Sequence, residues 1–243
     1  MSRRRPTPVA ANVRTVLDRA AAAAARAGRH PAEVRLVAVT KAVGAGPILE
    51  AIDGGLRVFG ENYVQEAAQK IADVKAGRPD LAPEVAWHFI GKLQRNKARH
   101  AVSAFEVIHS VDSTALAREI DRRARGIAGM QRILLEVNVG GESTKAGFTP
   151  EAVLAEAPAI DALANLRLLG LMAVPPPEGD PEENRPRFRA LRELRDEIRR
   201  RGLAGEGFRD LSMGMTQDFE VAIEEGATWI RVGTAIFGER PKG

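Results

Sequence analysis

Lys41 ends the apolar run Arg35-Leu-Val-Ala-Val-Thr40, and a lysine in that position brings an amine to the mouth of the sheet its strand joins. Such an amine is a candidate nucleophile for imine formation with an aldehyde. The same side chain can instead snorkel to solvent or pair with Glu61. Two later strand ends, Ser212-Met213-Gly214 and Gly233-Thr234, offer hydroxyls, backbone amides and small residues that let an anion approach closely. Taken alone, each is also ordinary turn chemistry. Arg231 ends a strand beside Gly233, and an arginine in a closed mouth requires an acceptor: a ring nitrogen, a carboxylate or a phosphate. An internal salt bridge with Glu61 or Asp218 would also satisfy it. A lysine, a phosphate cradle and an arginine together match the aldehyde, phosphate and pyridine nitrogen of pyridoxal 5′-phosphate (PLP).

These residues need a scaffold that gathers strand ends. Eight short strand-like runs follow in order: Arg35 to Thr40, Leu56 to Gly60, Val85 to Ile90, Glu106 to Val111, Arg132 to Val139, Leu166 to Val174, Phe208 to Ser212 and Trp229 to Val232. They are nearly continuous in apolar residues, as strands covered on both faces are. Helical periodicity fills the intervals; between Pro186 and Arg201, for example, Phe188, Leu191, Leu194 and Ile198 form one apolar stripe. An additional helix is expected from Val9 to Arg26. The alternation predicts an α/β fold with parallel strands closed as a single (β/α)8 TIM barrel, with an open doubly wound sheet as the structural alternative. The expected division is a disordered basic tail over residues 1–8 and one domain over residues 9–243. The segment Pro175-Pro-Pro-Glu-Gly-Asp-Pro181 is expected to loop over a barrel mouth.

Composition narrows the chemistry. The 243 residues contain no cysteine, which excludes thiolate catalysis and cysteine-held metals, and four scattered histidines make a metal cluster unexpected. The net charge of +4 is small, and the Arg3-Arg4-Arg5 opening reads as a solvated tail rather than a nucleic-acid contact. Neither a signal peptide nor an apolar span is present, so no membrane association and a cytoplasmic location are expected. Lys92, Arg95, Lys97 and Arg99 read as a solvated helix face, with an anionic partner as the minority alternative. His88 and His109 read as hydrogen-bonded structural histidines, and Tyr63 as a residue packed at the start of a helix.

The segments Ala38-Val-Thr-Lys41, Phe59-Gly-Glu-Asn-Tyr-Val-Gln-Glu66, Trp87-His-Phe-Ile-Gly-Lys-Leu-Gln-Arg-Asn-Lys97, His109-Ser-Val-Asp112, Leu211-Ser-Met-Gly-Met215 and Arg231-Val-Gly-Thr-Ala-Ile-Phe-Gly238 resemble the pyridoxal phosphate homeostasis proteins. The likeness runs from about Val34 to Gly238. It implies a barrel like the N-terminal domain of alanine racemase, holding PLP as a Schiff base on Lys41. By the same resemblance Ser212, Gly233 and Thr234 hold the phosphate, Asn62 and Met213 border the ring, and Arg231 faces the pyridine nitrogen. An arginine there leaves that nitrogen unprotonated and the cofactor a poorer electron sink. Thr216 stands where the family usually carries serine, and it keeps the hydroxyl. The implied function is vitamin B6 homeostasis without established turnover, with PLP-dependent apo-enzymes as recipients. The alternatives are a slow PLP-dependent racemase or lyase and, more distantly, a phosphate-sugar aldolase using Lys41. The chain ends at Gly243, soon after the eighth strand, which leaves no room for the second domain from which racemases draw an acid–base group across a dimer; a monomer is expected.

Overall fold

The computed structural model describes residues 7–140, 146–176 and 179–239. Eight parallel strands close into one barrel in sequence order: β1 (Arg35–Val39), β2 (Val58–Glu61), β3 (Ala86–Phe89), β4 (Val107–Val111), β5 (Gln131–Glu136), β6 (Leu166–Met172), β7 (Asp210–Ser212) and β8 (Trp229–Val232). Closure excludes the open sheet. β1 pairs with β8 through Val37 opposite Arg231 and Ala38 opposite Val232, so the chain beyond β1 emerges beside Gly233. On its other side Val39 lies opposite Gly60, which brings Thr40 level with Glu61.

Helices cover the outside: α1 (Pro8–Arg26), α2 (Ala45–Asp53), α3 (Val64–Gly77), α4 (Ala98–Ala104), α5 (Thr114–Ala124), α6 (Pro150–Asp161), α7 (Arg185–Arg200), α8 (Phe219–Glu224) and the single turn α9 (Thr234–Phe237). Several of them start where the sequence caps them. Thr7 accepts from the Ala10 amide ahead of Pro8, Ser113 from Leu116, and Thr149 from Ala152 ahead of Pro150. On α7 the expected stripe of Phe188, Leu191, Leu194 and Ile198 is buried. Of the basic tail, residues 1–6 lie outside the described residues; Thr7 and Pro8 belong to the start of α1.

Helix α1 is part of the shell rather than an addition to it. Among the described residues α9 alone follows β8, a single turn too short to cover the seam between β8 and β1. α1 packs against α2, α8 and α9 and buries Val13, Val16, Ala20, Ala23 and Ala24 there. Most of the core lies between strands and helices, while a separate small cluster of Val107, Leu134 and Met172 sits within the ring. The remainder of the interior is unusually polar, and this polar part underlies the site.

Candidate functional site

Lys41 lies two residues past β1, in a turn rather than on the strand, because Thr40 leaves the ladder to bond the Val43 amide through its carbonyl (2.9 Å). Its amine makes no ion pair among the described residues and rests over the Tyr63 ring, 5.4 Å from the centroid. Glu61 does not pair with it. That carboxylate is fully buried and accepts from the Thr40 hydroxyl (2.5 Å) and from Lys70 of α3 (2.8 Å). Tyr63, expected to pack, is instead half exposed at the start of α3 with its face turned to Lys41. The next residue back, Asn62, has a buried Oδ1 with no hydrogen-bond partner.

Arg231 is buried and forms no salt bridge with Glu61 or Asp218. Its guanidinium donates to Ser212 Oγ (2.7 Å) and to the Ala173 carbonyl (2.9 Å). Desolvation pushes its pKa down to about 10, against the attraction of Glu136 and Asp218. Behind Ser212 stands His109, with Nδ1 at 2.8 Å from Oγ, and behind that His88, with Nδ1 at 2.9 Å from His109 Nε2. An arginine can only donate, so Ser212 Oγ accepts from it and has its own proton left to give to His109 Nδ1. Assigned from these donors, His109 carries its proton on Nε2 and donates to His88. Trp229 meets both rings edge-on. Both imidazoles are held neutral. Burial lowers His88 to about 3, helped by Arg35 and Arg132, and lowers His109 well below its ordinary value, helped by His88 and Arg231.

A cavity of 320 Å³ opens at the ends of β1, β7 and β8, lined by Lys41, Arg231, Gly233, Thr234, Thr216 and Asp218 among others. Two features shape its floor. Gly214 adopts φ +90°, and a side chain there would collide with Ala222 and Phe219. Asp218 then folds the following loop back by accepting from the Met215 amide (2.7 Å) and from Asn184 (2.9 Å). The Thr216 hydroxyl faces the Ala235 amide at the start of α9 (3.4 Å).

Four of the seven expected site residues, Lys41, Arg231, Gly233 and Thr234, therefore line one cavity. Asn62 lies nearby at the end of β2, on the wall of a second cavity of 280 Å³ that also holds Glu136. Burial and the neighbouring Asp112 raise the Glu136 pKa, opposed by Arg231 and Lys92. Ser212 and Met213 are fully buried; Ser212 turns its hydroxyl inward to Arg231 and His109. Reading strand ends missed Asn184 and gave Asp218 the wrong partner: Asp218 pairs with Asn184 rather than Arg231, and the contact joins two separate loops. Pro181 lines the first cavity while Pro175 and Pro176 line the second, so the described parts of the proline-rich segment border both; residues 177 and 178 lie outside the described residues. Among the described residues no group of three or more metal-ligating side chains occurs, and no helix is long and apolar enough to cross a membrane.

Residues 12–241 match the family described as alanine racemase, N-terminal domain. The chain is 46% identical to the pyridoxal phosphate homeostasis protein of Aquifex aeolicus, over 93% of this chain and 95% of that one. It is 44% identical to the protein of the same name from Pseudomonas aeruginosa, over 97% of each. Among solved structures it superposes on PipY of Synechococcus elongatus with PLP bound, at a TM-score of 0.77 and 39% identity, covering 92% of this chain and all (100%) of that one. The alanine racemase of Corynebacterium glutamicum has a TM-score of 0.71 at 17% identity, covering 96% of this chain and 61% of the racemase, a likeness of fold alone. With the barrel, the gathered strand ends and these relatives agreeing over nearly the whole length, the chain belongs to the pyridoxal phosphate homeostasis protein family, whose barrel is that of the alanine racemase N-terminal domain.

Proposed function

We propose that this protein binds PLP in the 320 Å³ cavity and serves its homeostasis, with Lys41 as the covalent imine anchor. The observation that carries the reading is a set of unmet groups at one barrel mouth. Among the described residues Lys41 has an amine without an ion pair, Arg231 is a buried cation without a carboxylate partner, and Asn62 has a buried acceptor without a donor. PLP has the complementary groups: an aldehyde, a ring nitrogen and a ring hydroxyl. When bound, it supplies an electrophilic carbon and a conjugated ring that can take up electrons. Gly233 and Thr234, at the start of the short helix after β8, are suited to its phosphate, in the region where barrels of this kind recurrently hold one. Ser212 contributes by fixing Arg231, and Met213 by filling the core beneath.

Arg231 disfavours rapid chemistry. It remains a cation and offers no proton acceptor, so a ring nitrogen facing it stays unprotonated and the ring withdraws electrons weakly. His88 and His109 are buried behind Ser212, and their neutral rings are committed to each other and to Arg231's partner. We propose that the protein acts as a cytoplasmic monomer that passes PLP from this cavity, lined by residues of a single chain, to PLP-dependent apo-enzymes. Titration with PLP followed by visible absorption tests the site: the wild type gains a band and Thr234→Asp retains the ligand at least about tenfold more weakly, because its carboxylate repels the phosphate. Equal retention by both proteins would move the phosphate elsewhere. Sustained racemisation or product formation from any L-amino acid, abolished in Lys41→Ala, would replace the homeostasis reading with an enzymatic one.

A further inference from the structure

The end of β1 is gripped more tightly than an ordinary strand-to-helix turn. Thr40 is fully buried, and three of its groups are held at once. Its amide donates to the Gly60 carbonyl (2.9 Å), and its hydroxyl donates to Glu61 Oε1 (2.5 Å). Its carbonyl accepts both from the Val43 amide (2.9 Å) and from the Lys70 ammonium (2.6 Å). Lys70 reaches in from α3 with its side chain only 13% exposed, and it binds Glu61 Oε1 at 2.8 Å. On the far side of Lys41, Ala42 has φ +58°, the one non-glycine residue with positive φ among the described residues. Lys41 thus lies between a clamped residue and a left-handed one. A non-glycine residue stays in that region only where its surroundings over-determine it.

We propose that Lys70 and Glu61 are positioning residues for the Lys41 amine. Lys70 ties the β1 turn to α3, Glu61 ties it to β2, and together they hold the backbone from which Lys41 reaches into the cavity. The alternative, that Lys70 only neutralises a buried carboxylate, does not account for its bond to the Thr40 carbonyl. An ammonium with three donors meets Glu61 and the turn together, and only the second contact bears on where Lys41 points. The proposal rests on the PLP reading of the cavity. It adds that the covalent step, rather than the initial docking, depends on this clamp.

Stopped-flow mixing with PLP separates the two steps: a saturable docking constant, set by the phosphate grip, and a limiting rate for appearance of the band. In Lys70→Met the limiting rate is expected to fall about tenfold or more, the scale on which a small misplacement slows a reaction. The docking constant stays within about twofold and Lys70→Arg restores most of the rate. In the ligand-free protein the Val43 amide is expected to exchange hydrogen faster in Lys70→Met than in the wild type. Glu61→Gln, which keeps side-chain volume, provides the same comparison if Lys70→Met does not fold. An unchanged limiting rate, or docking and limiting rate falling in parallel, would overturn the clamp while leaving PLP binding intact. A wild type that forms no band at all would instead overturn the reading on which the clamp rests.

Discussion

At the scale of single residues, the proposed site contains a buried arginine whose orientation is fixed from behind. The chain His88, His109, Ser212, Arg231 leaves no polar atom of those contacts unmatched, and it works only while both imidazoles are neutral. The folded protein holds them below the ordinary value of 6.5, so the unfolded chain binds more protons as pH falls past that value. Stability is therefore full above about pH 6.5 and declines below it, by up to about 1.4 kcal/mol per pH unit for each histidine. Urea unfolding at pH 7, 6 and 5 is expected to show this decline, and His88→Gln to flatten it. A midpoint independent of pH across that window would contradict the neutral pair. The sequence made the identities legible but not their orientation. Ser212 was at the expected strand end, yet which way it turns depends on a barrel register that a single run of apolar residues does not encode. Lys41 could be picked out, whereas the partner of Glu61 is Lys70, contributed by the next helix.

At the scale of elements, the strand ends do different work from the loops. All eight strands were legible because each is a short apolar run bounded by helical periodicity. β8 spans the expected residues, and each of the other seven differs by one to three residues at one or both ends. β1, for instance, stops at Val39 because the next carbonyl is spent on Val43 and Lys70. The turn after it carries Ala42 at positive φ, at a cost of order 1 kcal/mol. Ala42→Gly removes that cost and adds unfolded-chain entropy, so stability is expected to be unchanged or raised by up to about 1 kcal/mol. A loss of 1 kcal/mol or more in denaturant unfolding would mean that the turn is not strained.

On the scale of the whole molecule, closure of the barrel brings Lys41 and Thr234 to one cavity although they are far apart in sequence. Among the described residues the seam that closes it has, after β8, only the single turn α9 in place of a full-length helix. α1 takes that place, and Asn12 Nδ2 donates to the Ile236 carbonyl in α9 (3.0 Å), which braces the short helix from outside. The alternation of strands and helices pointed to this ring, but it could not show that the N-terminal helix completes the shell, because nothing local in α1 specifies its neighbours. Removing the brace with Asn12→Ala is expected to weaken PLP retention a few-fold while leaving the fold intact, as read by titration and circular dichroism. Unchanged retention would detach α1 from the site.

The proposed covalent anchor of PLP, Lys41, is open to direct chemical test. The most direct measurement is borohydride reduction of the protein loaded with PLP, followed by peptide mass mapping, with Lys41→Ala alongside. A pyridoxyl mass is expected on the Lys41 peptide of the wild type and none at that site in the variant. A reduced adduct on another lysine, with the Lys41 peptide unmodified, would contradict that anchor.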